Sequence, residues 1–348
     1  MKNRIKLIGV ELGFGFTKGF DGHRPIIMQS VLADRGRPDD EPGSDRNDQN
    51  QGFHILIGDQ ALFVGRRADC DWRSPRHPHQ PDRLFGDYGQ RLTLAILAAY
   101  TEMENPLQLV IGLPVSYFQH LRDPFVNRLT GYHKVSWMQA DGSRVPKNIH
   151  IHKVHVVPNP MGTYIGLIMD ENGQVRDDRF KGRKVVLVDI GFRSTDVIMM
   201  DRMRFSSPCS GTIDLGISRS FEAIDRKLRD EAGHGPRFDQ LYQGVRMGFI
   251  RIDGQTYNLE RVREEAFRNL AEELADNIGH MLAAAWDLDR LLLTGGGARE
   301  LADYIGPLLP GEVSLIENEQ DARLNNVQGQ LRLARALWGL SGFCDSGG

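Results

Sequence analysis

The chain has 348 residues, 43 of them basic and 46 acidic, for a formal charge of −3, with 40% hydrophobic and 26% charged side chains. At roughly 150 residues per domain, this length points to two domains and buries enough core to need no disulfide or zinc staples. The charge balance excludes a protein that holds bare nucleic acid or an anionic membrane by bulk basic charge, since both attractions scale with basic excess.

The amino-terminal MKNRIKLIGVELG has no apolar core and no cleavage site, so no signal peptide is expected. No run approaches the roughly 18 apolar residues of a membrane span. Cys70, Cys209 and Cys344 lack metal-ligand spacing and leave an odd count, which points to a reducing cytoplasm.

In chain order, IKLIGVEL predicts a buried strand that runs through a glycine turn into FTKGF. Asp21-Gly22 is a hairpin signal ahead of PIIMQSV. Residues 34–52 are almost devoid of apolar side chains and predict a surface loop, and 73–83, RSPRHPHQPDR, a second connector. A helix is expected over 84–101, a buried strand in LQLVIGLPV, and a hairpin over 131–157 whose second arm is NIHIHKVHVV. KVVLVDI is another buried strand, followed by STDVIMM and a strand near 204. Helices are predicted over 214–232 and 259–286, the latter from the spacing of Val262, Phe267, Leu270, Leu274, Ile278, Met281 and Ala285. DRLLLTGGGA reads as a strand entering a glycine loop, then helix RELADYIGPLL, and the helix LNNVQGQLRLARALWGL closes the chain. Strands alternating with helices predict an α/β protein.

Two segments repeat. VELGFGFTK at 10–18 and VDIGFRSTD at 188–196 align with Val, Gly, Phe and Thr identical, an acid on an acid and Leu on Ile. Each ends an apolar strand with an acid and a glycine turn. Glycine lets a ligand approach the backbone, successive N–H groups form a nest for phosphate oxygens, and the acid can hold Mg²⁺ directly or through water. Two copies suggest two related lobes acting on one nucleotide. A third glycine loop, Thr294 to Ala298, offers a bare backbone on which adenine could rest, with phosphate near a helix N-terminus. No GxxxxGK[ST] loop is present, so a nucleotide would not be held by a P-loop.

The order of these three elements resembles the actin/Hsp70/sugar-kinase ATPase superfamily. Within it, GVELGFGFTK, DIGFRSTD, VIGLPVSYF, RSPRHPHQPDRL, VVPNPMGTYIG and LNNVQGQLRLARAL are similar to the ParM/StbA-type plasmid-segregation actins. That resemblance implies an actin-like ATPase fold, two RNase-H-like lobes around a central nucleotide cleft. The first lobe would span 1–158 with a smaller inserted subdomain at about 32–98, and the C-terminal helix 322–348 would pack back on it. The second would span 159–321 with a helical subdomain at about 216–288.

By the same resemblance, Gly13, Gly15, Phe16, Thr17 and Lys18 would meet the β- and γ-phosphates, with Lys18 as the charged contact. Gly191, Arg193, Ser194 and Thr195 would face them from the second lobe. Asp189 would organise Mg²⁺ and the attacking water, with Glu11 as the other metal-linked acid. Gly295, Gly296, Gly297 and Ala298 would underlie the adenosine. Gly216, Arg219, Glu222 and Lys227 would edge the ribose and base. Two residues depart from the pattern: Glu11 stands where relatives usually carry Asp, and Asn159 where they carry Glu or Gln to orient water. An Asn accepts a hydrogen bond but cannot act as a base, so slow hydrolysis with intact binding is expected. The implied function is an ATP- or GTP-dependent, Mg²⁺-requiring cytoplasmic filament that moves cargo. It would reach DNA through a separate adaptor protein, touching no nucleic acid itself and spanning no membrane. The competing readings are a small-molecule kinase and a non-polymerising nucleotide-binding scaffold.

His150, His152 and His155 look like a metal cluster, but strand periodicity turns 155 away from the other two. The terminal helix, with Leu331, Leu333, Leu337, Trp338 and Leu340, reads as packing rather than as a membrane anchor. The basic 73–83 lacks interleaved aromatics and reads as a loop at a lobe edge.

Overall fold

The apolar heptapeptide KLIGVEL forms strand β1 (Lys6–Leu12), with its last five residues buried, the pattern of a strand covered on both faces. In the computed structural model, residues 5–33, 53–65, 84–101, 105–139, 141–285 and 287–339 are described. The loop expected at 34–52, the connector at 73–83, Cys70 and Cys344 lie outside the described residues. Two compact units divide the chain: Met1–Arg179 with Arg323–Gly348, and Phe180–Ala322.

In the first unit, β1 pairs antiparallel with β2 (Phe16–Phe20), which pairs with β3 (Pro25–Gln29). Strands β4 (Leu32–Ala33), β5 (Phe53–Ile57) and β6 (Gln60–Val64) follow, then helix α1 (Asp87–Ala98). Next come β7 (Pro106–Leu113), α2 (Val115–Leu129), β8 (Gly131–His133), β9 (Val135–Met138), β10 (Arg144–Pro146) and β11 (Ile149–Pro158). The larger sheet has the order β3-β2-β1-β7-β11-β8, with β1, β7 and β11 parallel, so the C-terminal ends of these three strands lie side by side. The smaller sheet has the order β10-β9-β5-β6-β4. It therefore draws β9 and β10 from beyond residue 98, where the sequence suggested an insertion confined to about 32–98. The same exchange corrects the single hairpin expected over 131–157, because β8 pairs with β11 while β9 pairs with β5.

Helix α3 (Asn159–Ile168) begins directly after β11. The expected boundary at 158 gives way to one after Arg179, because α3 packs on the C-terminal helix of the first unit. That partner is α8 (Asn325–Trp338). The two helices meet backbone to backbone: a Cβ on Gly329 would strike the Gly162 carbonyl, and one on Gly162 the Asn326 carbonyl. Thr163 Oγ1 donates to Asn326 Oδ1 at 2.7 Å inside the contact. The same helix lies over β1 and β7.

The second unit is built on β12 (Lys184–Ile190), β13 (Thr195–Asp201) and β14 (Arg204–Ile213). These are followed by α4 (Ser218–Ala232), α5 (Phe238–Met247), the hairpin β15 (Phe249–Ile252) and β16 (Gln255–Asn258), and α6 (Glu260–Met281). Strand β17 (Arg290–Thr294), α7 (Ala298–Ile305) and β18 (Val313–Leu315) complete it, and the chain returns to the first unit for α8. The sheet order is β14-β13-β12-β17-β18. Phe221, Phe238 and Phe267 bind α4, α5 and α6 through edge-to-face ring contacts. No helix among the described residues is long and apolar enough to cross a membrane.

Candidate functional site

The sequence repeat is also a repeat of hydrogen bonds. In the first unit Gly13 N–H donates to the Phe16 carbonyl at 3.2 Å, and in the second Gly191 N–H donates to the Ser194 carbonyl at 2.9 Å. The strand registers match as well, Leu12 facing Thr17 and Ile190 facing Thr195. Each turn is anchored by the phenylalanine common to both copies. Phe14 packs against Phe85 and Tyr117, and Phe192 against Phe238.

In the first turn the Gly13 and Gly15 carbonyls are already used. Ser30 Oγ donates to the Gly13 carbonyl at 2.6 Å and Ser30 N–H to the Gly15 carbonyl at 3.0 Å. Thr17 is wholly buried with its hydroxyl 3.0 Å from Ser30 Oγ, so it fixes the turn from beneath. The N–H groups of Phe14 and Gly15 have no backbone partner among the described residues. What the turn still offers is a pair of donors, the chemistry of a phosphate nest.

Beside the turn, Glu11 and Lys18 face each other across β1 and β2, and Lys18 Nζ donates to Glu11 Oε1 at 2.7 Å. The side chains are 7% and 12% exposed, so this is a desolvated ion pair. Glu11 Oε2 is buried with no hydrogen-bond partner among the described residues. Lys18, expected from the resemblance to touch phosphate, is thus engaged by the neighbouring acid, and this turn is close to neutral. Phe16 lies under the Arg323 guanidinium, 5.9 Å from the ring centre. Asn159 is buried at the start of α3, at the end of β11.

The second turn has the opposite electrostatics. Asp189 occupies the position of Glu11, but Asp196 occupies that of Lys18 and faces Asp189 across β12 and β13. Both are buried, and Thr212 Oγ1 donates to Asp196 Oδ1 at 2.5 Å. Directly opposed carboxylates repel, so this face of the second turn is acidic where that of the first is balanced. Asp196 was missed by sequence reasoning; the repeat itself was the signal, since it aligns with Lys18. Thr195 is fixed by donation to the Leu215 carbonyl at 2.7 Å. Ser194 sits in the turn through its carbonyl bond to Gly191. Arg193 pairs with Glu222 at 3.2 Å, and burial pulls its guanidinium below its ordinary pKa while Glu222 opposes the shift.

The glycine loop after β17 belongs to the same cluster. Gly295 has φ +93°, and a Cβ there would strike the Asp189 carboxylate and stand 2.6 Å from the Ile190 carbonyl. Gly297 N–H donates to that carbonyl at 2.8 Å, Gly296 is exposed, and Ala298 opens α7. Gly216 presses on the backbone of Phe192 and Arg193. Ile217 and Ser218 N–H groups donate to the Gly191 and Phe192 carbonyls at 3.0 and 2.8 Å. Asp189, Gly191, Arg193, Gly216, Glu222 and Gly295 therefore converge. Arg219 is exposed on the first turn of α4, whereas Lys227 points to solvent and pairs with Glu231 at 3.2 Å, apart from the cluster.

The histidines do not assemble. His150 stacks on Tyr132 at 3.9 Å and meets His152 edge to face. Among the described residues no three His, Cys, Asp or Glu side chains are grouped to hold a metal.

Residues 9–162 match the family model of the N-terminal domain of actin-like proteins, and residues 187–306 that of the C-terminal domain of the archaeal actin homologue MreB-like proteins. The archaeal actin homologue Ta0583 in complex with ADP superposes with a TM-score of 0.74 at 21% identity, over 94% of this chain and 99% of its own. A 15-stranded ParM filament from Clostridium botulinum gives 0.72 at 18% identity, over 95% and 99%. The actin-like protein Alp7A gives 0.74 at 15%, over 97% and 98%. At these identities the likeness to solved structures is one of fold. No curated protein matches the sequence.

Proposed function

We propose that this chain, which belongs to the actin-like proteins, binds one magnesium nucleoside triphosphate with its two repeated turns, assembles head to tail in that state, and hydrolyses the nucleotide slowly. The duplicated turn carries the reading: the same hydrogen bond, register and aromatic anchor occur in both units beside a buried acid. Solved proteins of this fold include an ADP complex and a ParM filament, which supports both halves of the proposal.

The residues present fit such a ligand. The Phe14 and Gly15 N–H groups supply donors for phosphate oxygens, Glu11 Oε2 is an orphaned acceptor, and Asp189 and Asp196 face each other on the second turn. Gly295 leaves the space beside Asp189 that a side chain would fill. Bound Mg²⁺ would withdraw charge from the phosphates and make the terminal phosphorus more electrophilic. Asp189 is the metal-organising acid of this scheme, and Glu11, tied to Lys18 through Oε1, acts through Oε2 alone. Asn159 accepts a hydrogen bond from the attacking water and orients it, but cannot take its proton, which keeps turnover slow. Bare backbone at Gly295–Gly297 suits a purine, ATP or GTP.

A head-to-tail contact is heterologous and does not close on itself, so it propagates as a filament. The Phe14 and Gly15 donors lose an acceptor once hydrolysis has removed the terminal phosphate, and the assembly loosens. Any DNA cargo is reached through an adaptor protein in the cytoplasm, in keeping with a formal charge of −3. Sedimentation of the chain with Mg-ATP, Mg-GTP and non-hydrolysable analogues, run beside phosphate release, tests the proposal. Polymer with nucleotide and none without it, with phosphate release lagging assembly, is the expected result. Monomers under every condition contradict filament formation.

A further inference from the structure

Gln330 on α8 is fully buried, and neither its Oε1 nor its Nε2 has a hydrogen-bond partner among the described residues. Leaving a buried amide unsatisfied is costly, and an apolar side chain of the same length would fill the space without that cost. The amide is also specifically placed. A Cβ on Gly112 of β7 would strike Gln330 Nε2, and one on Gly9 of β1 would stand 3.2 Å from Gln330 Cβ. Gly112 is the parallel-sheet neighbour of Glu11, and Gly9 lies two residues before Glu11 on the same strand face. Glu11 and Gln330 therefore share one face of the sheet at the C-terminal ends of β1 and β7. Glu11 Oε2 as acceptor, and Gln330 Nε2 as donor and Oε1 as acceptor, are left there with unfilled hydrogen-bonding capacity, and Asn159 Oδ1 lies beside them, 2.5 Å from the Gly112 Cβ position that Gln330 Nε2 also crowds.

We infer that Gln330 is a positioning residue of the nucleotide site, holding the hydration water that Glu11 presents to the metal-nucleotide. Its Nε2–H donates to a water that in turn donates to Glu11 Oε2, and its Oε1 accepts from the same hydration network. A buried water needs two to four polar partners, which Glu11 and Gln330 supply together. The C-terminal helix thereby takes a direct part in nucleotide binding and does not serve only as packing. This inference rests on the nucleotide-binding reading above.

The test uses Gln330→Met and the unaltered protein in thermal-shift titrations with Mg-ATP, with Mg²⁺ alone and with ATP in EDTA. Without nucleotide the variant melts at or above the unaltered protein, because an unsatisfied amide has been removed. Its apparent affinity for Mg-ATP falls about tenfold, the scale of one hydrogen bond in a charged network, while the metal-free ATP affinity is unchanged. A second readout needs no variant: the Gln330 side-chain amide resonance shifts with Mg-ATP and stays in place with ATP in EDTA. Equal Mg-ATP affinities together with an unmoved amide overturn the inference and leave the nucleotide site standing. An unaltered protein whose melting responds to no nucleotide overturns the nucleotide reading, and this inference with it.

Discussion

Replacing Lys18 by Met is expected to destabilise the protein by about 3–5 kcal/mol, the cost of stranding a buried charge. Glu11 is 7% exposed and its only charged contact among the described residues is Lys18 Nζ at 2.7 Å, so solvent cannot take over the role of the lysine. Removing both charges in Glu11→Gln with Lys18→Met should recover most of the loss, because a neutral buried pair carries no uncompensated charge. Urea unfolding of the two single variants and the double variant measures this as a coupling energy. Additive losses, with no recovery in the double variant, would show that the pair is not the unit the structure describes.

The second large effect is expected at Gly295. Alanine there must adopt φ +93° and also place a methyl group against the Asp189 carboxylate and the Ile190 carbonyl. Gly254 is the control: its φ is +82°, but nothing lies within 4 Å of where a Cβ would be. Gly254→Ala should cost only the left-handed strain of about 1–2 kcal/mol. Gly295→Ala should cost clearly more and abolish nucleotide binding, since the clash is with backbone and with Asp189, the acid proposed to organise the metal. Equal losses of stability in the two variants, with binding intact in both, would mean that the close approach at Gly295 has no functional weight.

The parts of the site that were legible in the sequence are those where one residue type permits one backbone geometry. The two copies of the turn share Val, Gly, Phe and Thr, and the last three each act locally, through the amide bond, the aromatic anchor and the buried hydroxyl. Other elements were illegible for physical reasons. Helix α2 holds Pro124 in its interior, which argues against a helix by local rules, and tertiary packing of Phe125 and Leu129 overrides it. Helix α3 opens with Asn159-Pro160, which reads as a turn, although proline in the first helical turn is also a helix-start signal. The pairing of Lys18 with Glu11 follows from strand register and not from residue type, so it could not be read from the sequence. Gln330 gave no signal at all, because its burial is created by the seat of α8 on β1 and β7.

On the proposed reading, the acids of both turns contribute to nucleotide binding. Calorimetric titration of the unaltered chain with Mg-ATP, repeated with Asp189→Asn and with Glu11→Gln, tests it most directly. One nucleotide per chain is expected, with either substitution weakening that single binding event by about tenfold or more, the scale of a lost charged contact. Two nucleotides per chain, or one whose affinity ignores either acid, would contradict it.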